Sequence, residues 1–329
     1  MSTVGTTNLN LSDFARRIDP DGKQAKMVEI LNQTNPILDD MVFVEGNLPT
    51  GHKTTIRSGL PSATWRLLNY GVQPSKSRSV QVTDTCGMLE AYAEIDKDLA
   101  DLNGNTAEFR MQEDRAFLEA MNQEMATTLF YGNTATFPEK FTGIAPRYSL
   151  KSAESGANII DGGSNDTDNT SIYLITWSAN TCHGIFPKGK ITGLQHKDLG
   201  EVTLLDAAQG KYQGYRSHYK WDIGFTLRDW RYCARIANIE VSDLLASATT
   251  GANIPDLMVQ ALELLPSSDM GTTVFYCNQT IKSFLRRQIL AKSNVYLTFD
   301  NVAGKEVLRF AGIPVKKCQA ITNIETLVS

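Results

Sequence analysis

The distribution of charge constrains this chain most. Between Glu45 and Asp84 there is no acidic residue, while Lys53, Arg57, Arg66, Lys76 and Arg78 supply five positive charges. From Asp84 to Glu124 the sign reverses, with eleven acids against three bases, Lys97, Arg110 and Arg115. The two blocks carry +5 and −8 in a chain whose formal net charge is only −4. Such segregation is not ordinary surface mixing. It predicts a basic arm that docks on an acidic face, either within the chain or on a neighbouring copy. The second case points to an assembly protein rather than an enzyme.

At 329 residues the chain can bury an ample core in two or three substructures. A hydrophobic content of 42% with 21% charged residues is that of an ordinary soluble globular protein. A pI near 5.7 argues against bulk affinity for nucleic acid, which needs a basic footprint. No apolar run approaches the roughly 18–20 residues of a membrane helix, so no membrane partner is expected. Met1 to Asp13 is rich in Ser, Thr and Asn and has neither the charged nor the apolar region of an export signal. Cys86, Cys182, Cys233, Cys277 and Cys318 stand far apart, mostly in apolar context, and read as reduced cysteines of a cytosolic protein.

Along the chain, residues 1–22 read as a polar arm with a turn at Asp19–Gly22. A short helical stripe over Lys23–Asn32 follows. Residues 46–83 hold three prolines and four glycines, with extended pieces at His52–Arg57 and Ser79–Thr83. This reads as a long hairpin-type loop, and a lone hairpin must rest against something to be stable. The strongest helix runs from Asn105 to about Tyr131. Asn105 and Glu108 hold cap positions, and Phe109, Phe117, Met121, Met125 and Leu129 share one row with Ala116 and Ala120 beside it. Gly132 closes it. A rod of about 40 Å is a spine rather than one member of a compact bundle. Its other face carries Glu108, Glu113, Asp114, Glu119 and Glu124. Beyond a loop at 151–170 come short strand-like runs, among them Ile172–Trp177 and Thr272–Cys277, broken by helices at Pro255–Leu265 and Asn278–Leu290. Glu306–Ile321 is strand-like and breaks at Gly312. The order is mixed α+β.

A search for chemistry returns little. The four histidines are His52, His183, His196 and His218. Cys182 and His183 are adjacent, but neighbours on a strand point to opposite faces and make a poor dyad or metal site. Nucleophile-elbow, zinc-protease, P-loop and dinucleotide motifs do not occur. Asp161–Asp168 offers carboxylates, yet it lacks the glycine and distal glutamate of a calcium loop. No catalytic residue, cofactor or metal is expected, and the chain does not read as an enzyme.

Several motifs together resemble a known family. Gly51–Pro61, followed by Trp65-Arg66 and Asn69–Gly71, is similar to the extended loop of tailed-phage major capsid proteins, most of all the epsilon-fifteen-like group. In the same order follow Phe130–Asn133, Phe141–Pro146, Phe186–Gly189, Asp229–Arg231, Arg235–Ile239, Leu285–Gln288 and Gly312–Val315, with Asp19–Gly22 ahead of them. Each is weak alone; their shared order over nearly the whole chain is specific. The resemblance implies a Hong Kong 97-like major capsid protein fold. Mapped here, it gives an N-terminal arm at 1–45 and an extended loop at 46–90. A spine-helix peripheral domain takes 91–150 and 303–329, and an axial domain takes 151–302.

The function so implied is structural. Hexamers and pentamers of this subunit would tile an icosahedral phage capsid around double-stranded DNA, assembled in the cytoplasm of a bacterial host. Family loops cross the adjacent subunit, so the resemblance turns the charge blocks into an inter-subunit contact. It pairs Lys53, Arg57, Arg66, Lys76 and Arg78 with Glu108, Glu113, Asp114 and Glu119. Only about 100 residues precede the spine, all needed for arm and loop, which implies a separate scaffolding protein. A portal is a further expected partner, a decoration protein is left open, and packaged DNA would meet Arg16, Arg17 and Lys23 weakly and without sequence preference. The alternatives are a bacterial nanocompartment shell of the same fold, or a soluble binding domain with a flexible basic loop.

Overall fold

The computed structural model describes residues 9, 33, 35–102, 104–206, 208–246, 251–267, 269–290, 297–302 and 305–329. The predicted turn at Asp19–Gly22, the helix over Lys23–Asn32 and the arm bases Arg16, Arg17 and Lys23 lie outside the described residues.

In chain order the elements begin with α1 (Ile37–Asp40), β1 (Phe43–Glu45), β2 (Gly51–Gly59) and β3 (Arg78–Asp96). The helices α2 (Lys97–Asp101) and α3 (Thr106–Tyr131) follow, then β4 (Ile159–Asp161), β5 (Asn169–Trp177) and β6 (Cys182–Phe186). Next come β7 (Gln195–Leu205), β8 (Lys211–Leu227), β9 (Cys233–Glu240), α4 (Val241–Ala246) and α5 (Ile254–Leu264). The chain closes with β10 (Thr272–Cys277), α6 (Gln279–Leu290), β11 (Leu297–Val302), β12 (Lys305–Phe310) and β13 (Ile313–Lys317). Two compact units result. One takes 1–35, 88–126 and 193–222, and the other takes 36–87, 127–192 and 223–329. Three long elements, β3, α3 and β8, contribute residues to both.

The larger unit is built on β5, whose nine residues are all buried. It lies between β10 and β9, antiparallel to both. A strand covered on both faces carries a continuous apolar run instead of alternation, which is why Ile172–Trp177 has no polar face. Against this sheet α5 and α6 lay Met258, Ala261, Ile281 and Leu285, which close on Leu174, Ile236 and Phe275. Gly312 explains the predicted break. Ala311 and Gly312, with φ of 48° and 81°, form a two-residue turn between paired Phe310 and Ile313, the mirror-image turn that suits the twist of a hairpin.

The smaller unit holds most of the spine helix α3. The predicted row faces inward, with Phe109, Met121 and Met125 fully buried and Phe117 partly so, and Ala126 is buried beside it. Ala116 and Ala120 are exposed instead of flanking the core, because one residue amounts to about 100° of rotation. At the start of the helix Asn105 donates its side-chain amide to Glu108. At the end Gly132 is required by close approach, not by left-handed geometry, since a Cβ there would stand 2.4 Å from the Phe141 carbonyl oxygen.

Candidate inter-subunit surface

The basic block folds as an antiparallel hairpin with a long tip. β2 and β3 pair from Gly51 opposite Thr85 to Gly59 opposite Arg78. Between them the chain leaves the ladder, and every residue from Leu60 to Val80 is exposed. Lys53, Arg57, Arg66, Lys76 and Arg78 are all exposed, and none makes an ion pair among the described residues. The exposed apolar side chains among them were less expected. Trp65 is 104% exposed, Leu68 86% and Leu60 80%, with Leu67 and Tyr70 also largely in solvent. Isolated exposed leucines are normal on a surface, but an apolar cluster of this kind marks an interaction site.

The hairpin is anchored at its root. Asp84, opposite His52 in the ladder, is 6% exposed. It accepts from Arg147 Nη2 at 2.7 Å and from the Thr226 hydroxyl. Arg147 also donates to the Phe225 and Thr142 carbonyl oxygens, both at 3.2 Å. One guanidinium thereby joins β3, β8 and the loop after the spine, a geometry that suits a planar fork of donors.

The acidic block is largely used within its own unit. Glu90 accepts from Lys220 at 2.6 Å and lies 3.2 Å from His218, and the Lys220 ammonium holds its carboxyl below the usual range. Arg216 reaches Glu94 at 2.6 Å, and its guanidinium lies over the Tyr92 ring, on which His218 stacks. Asp96 caps α2 through the Asp98 and Leu99 amides. These bases on β8 lie far downstream of the acids they meet.

The four spine acids singled out from sequence do not share one exposed face. Glu108 is exposed, whereas Glu113, Asp114 and Glu119 are half-buried. At about 100° per residue the five acids of this helix point in three directions. Glu119 accepts from the Gln33 amide at 2.7 Å and from Gln123 at 2.8 Å; burial alone would raise its pKa, and these bonds hold it below the usual range. Asp114 accepts from the Ser217 hydroxyl at 3.4 Å and meets the Tyr219 hydroxyl, which burial and this carboxylate push up to about 12. Asp114→Lys is therefore expected to cost about 1–3 kcal/mol in the subunit itself. Urea unfolding of unassembled chains measures this, and a loss below about 0.5 kcal/mol would show that Asp114 is free to serve another copy.

The remaining candidates are absorbed by the fold. Asp166, Asp168 and Glu240 lie close enough to share an ion. Their carboxylates are met instead by donors: Thr167 on Asp166, the Ser242 amide on Asp168, and the Ser164 and Ser242 hydroxyls on Glu240. Cys182, Cys233, Cys277 and Cys318 are buried free thiols and Cys86 is half-buried. Burial pushes Cys233, Cys277 and Cys318 up to about 12, as expected of inert packing groups. Among the described residues no helix is long and apolar enough to cross a membrane.

The α+β chain thus carries a wholly exposed apolar and basic loop on a hairpin pinned at its root. The family described as Major capsid protein GP7 matches residues 19–329. The solved structure of bacteriophage Epsilon15 superimposes with a TM-score of 0.80 at 36% identity, covering 100% of this chain and 99% of that one. The chain belongs to this major capsid protein family. Its fold is Hong Kong 97-like, and it is a structural subunit of an icosahedral phage capsid. The bacteriophage JBD30 capsid matches with a TM-score of 0.46 at 8% identity over 89% of this chain and 93% of that one. The SrpI encapsulin from Synechococcus elongatus PCC 7942 gives 0.43 at 10% identity over 70% and 96%. No curated protein matches the chain. The family role is structural, and self-assembly into a shell follows from it.

Proposed function

We propose that the subunit assembles as hexamers and pentamers around double-stranded DNA, and that residues 60–80 seat on an adjacent copy. Exposure of this whole segment, Trp65 included, carries the reading. Apolar surface of this kind is stabilised when a partner covers it. The contact is heterologous, one patch meeting a different patch on the next copy, which closes rings. The capsid partition that goes with it assigns 1–45 to the arm, 46–90 to the extended loop, 91–150 with 303–329 to the peripheral domain, and 151–302 to the axial domain. Of Glu108, Glu113, Asp114 and Glu119, Glu108 is best placed to meet the loop bases, since it alone of the four is exposed. A separate scaffolding protein and a portal take part in the assembly in the host cytoplasm. Contact with packaged DNA is weak, in keeping with a net charge of −4.

Amide exchange on free subunits and on purified particles tests the seating. Protection of residues 60–80 is expected to rise at least tenfold on assembly, while β5 and β10 change little. Equal exchange of this segment in both forms would show that it stays in solvent and that another surface joins the copies.

A further inference from the structure

The root of the hairpin holds a feature that assembly does not account for. His183 on β6 is fully buried, and among the described residues neither ring nitrogen finds a hydrogen-bond partner of ordinary geometry. Buried polar atoms in native proteins are nearly always paired, so an orphaned imidazole calls for a reason. Its neighbour is a second histidine. His52 on β2 meets it edge-on, with ring centroids 6.0 Å apart and planes at 77°. His52 is half-buried, and its Nδ1 accepts from the Asn47 amide at 3.3 Å, which leaves the proton of the neutral ring on Nε2.

The charges around the pair favour neutral rings. Arg228, just past β8, opposes a proton on either ring, and His52 opposes one on His183. The acid facing both is Asp84 on β3, and its two oxygens are already taken by Arg147 and Thr226. The Ser178 backbone favours a charged His183 only weakly. Burial first, then Arg228 and His52, hold His183 down at about 4, and burial with Arg228 also lowers His52.

We propose that the His52–His183 contact is a proton-operated latch between β2 and β6. With both rings neutral it clamps the root of the loop-bearing hairpin to the sheet, and a proton on His183 releases it. The sign follows from the depressed pKa. A released ring takes a proton near its ordinary 6.5, so the latch holds fully above that pH and weakens as pH falls toward about 4. The latch is a property of one chain and does not depend on how the copies assemble.

Amide exchange of the full-length free subunit at pH 7.5 and pH 5.0, corrected for intrinsic rates, reads the latch at residues 51–57 and 79–85. In the native protein protection there is expected to drop at least tenfold at the lower pH, while β5 and β10 hold. His183→Leu, which keeps an apolar side chain of similar size where no hydrogen bond is lost, should keep protection within about twofold across the same range. His52→Gln removes one opposing ring and should move the midpoint of loosening to higher pH. A native hairpin equally protected at both pH values overturns the proposal, as does the same loss in His183→Leu. Should His183→Leu fail to fold, an unshifted midpoint in His52→Gln overturns it as well.

Discussion

Arg235→Met is expected to destabilise the subunit by about 3–5 kcal/mol, the penalty for leaving a buried carboxylate without its counter-charge. Arg235 and Glu325 pair at 2.8 Å with side chains only 5% and 4% exposed. The guanidinium also donates to Ser171 Oγ and to the Tyr148 and Ala145 carbonyl oxygens. Glu325 accepts further from the Tyr131, Ser171 and Tyr173 hydroxyls. Every guanidinium nitrogen and both carboxylate oxygens are thus engaged, the condition under which a buried ion pair is sustained. The pair holds the last stretch of the chain, which past β13 has almost no ladder of its own. Asn238 grips Val328 by both amide atoms, and the Thr170 hydroxyl bonds the Thr322 carbonyl oxygen.

Denaturant unfolding of free subunits measures the loss, and the double variant Arg235→Met with Glu325→Gln gives the pair term by a thermodynamic cycle. Because removing both charges spares the orphaned one, the double variant should recover more than half of the deficit. A single-variant loss below about 1 kcal/mol would mean that water reaches Glu325 and that the tail is held by its backbone contacts.

This network shows where sequence reading stops. Arg235 was visible only within the motif Arg235–Ile239, and Glu325 not at all, because the two carry no local signal over 90 residues. Elements whose cause is local were legible. Thr272–Cys277 forms β10 residue for residue, and the helices at Pro255–Leu265 and Asn278–Leu290 begin or end within a residue of the prediction. The acidic block misled for a physical reason. From Leu89 to Ile95 apolar and outward-facing residues alternate, so Glu90 and Glu94 belong to the solvent side of a strand. Counting charge hid that period of two. The bases that meet these acids, Arg216, His218 and Lys220, alternate in the same way on β8, and no count along the chain could bring them together. The basic half makes no such ion pair among the described residues.

Converting Leu60, Trp65, Leu67 and Leu68 together to Ser is expected to abolish shell formation while the subunit folds normally. In the free subunit these side chains lie in water, so their removal costs its fold little. On assembly their burial would supply on the order of 8–12 kcal/mol per copy, at the usual yield for large apolar side chains. Reversing Arg57 and Arg66 to Glu acts on a smaller term, since exposed ion pairs are worth about 0–1 kcal/mol each. That double variant should still assemble, more slowly, with the delay greatest at low salt because charge steers encounter more than it holds. It should vanish near 500 mM salt, where screening falls to about 4 Å. Glu108→Lys is the acid reversal to combine with it, as Asp114 and Glu119 are already bonded within their own unit. Light scattering during assembly, followed by electron microscopy of the products, separates the cases. If the Ser variant forms normal particles and the charge-reversed one does not, charge holds the loop and the apolar cluster is incidental. If both form normal particles, the loop is not the joint between copies.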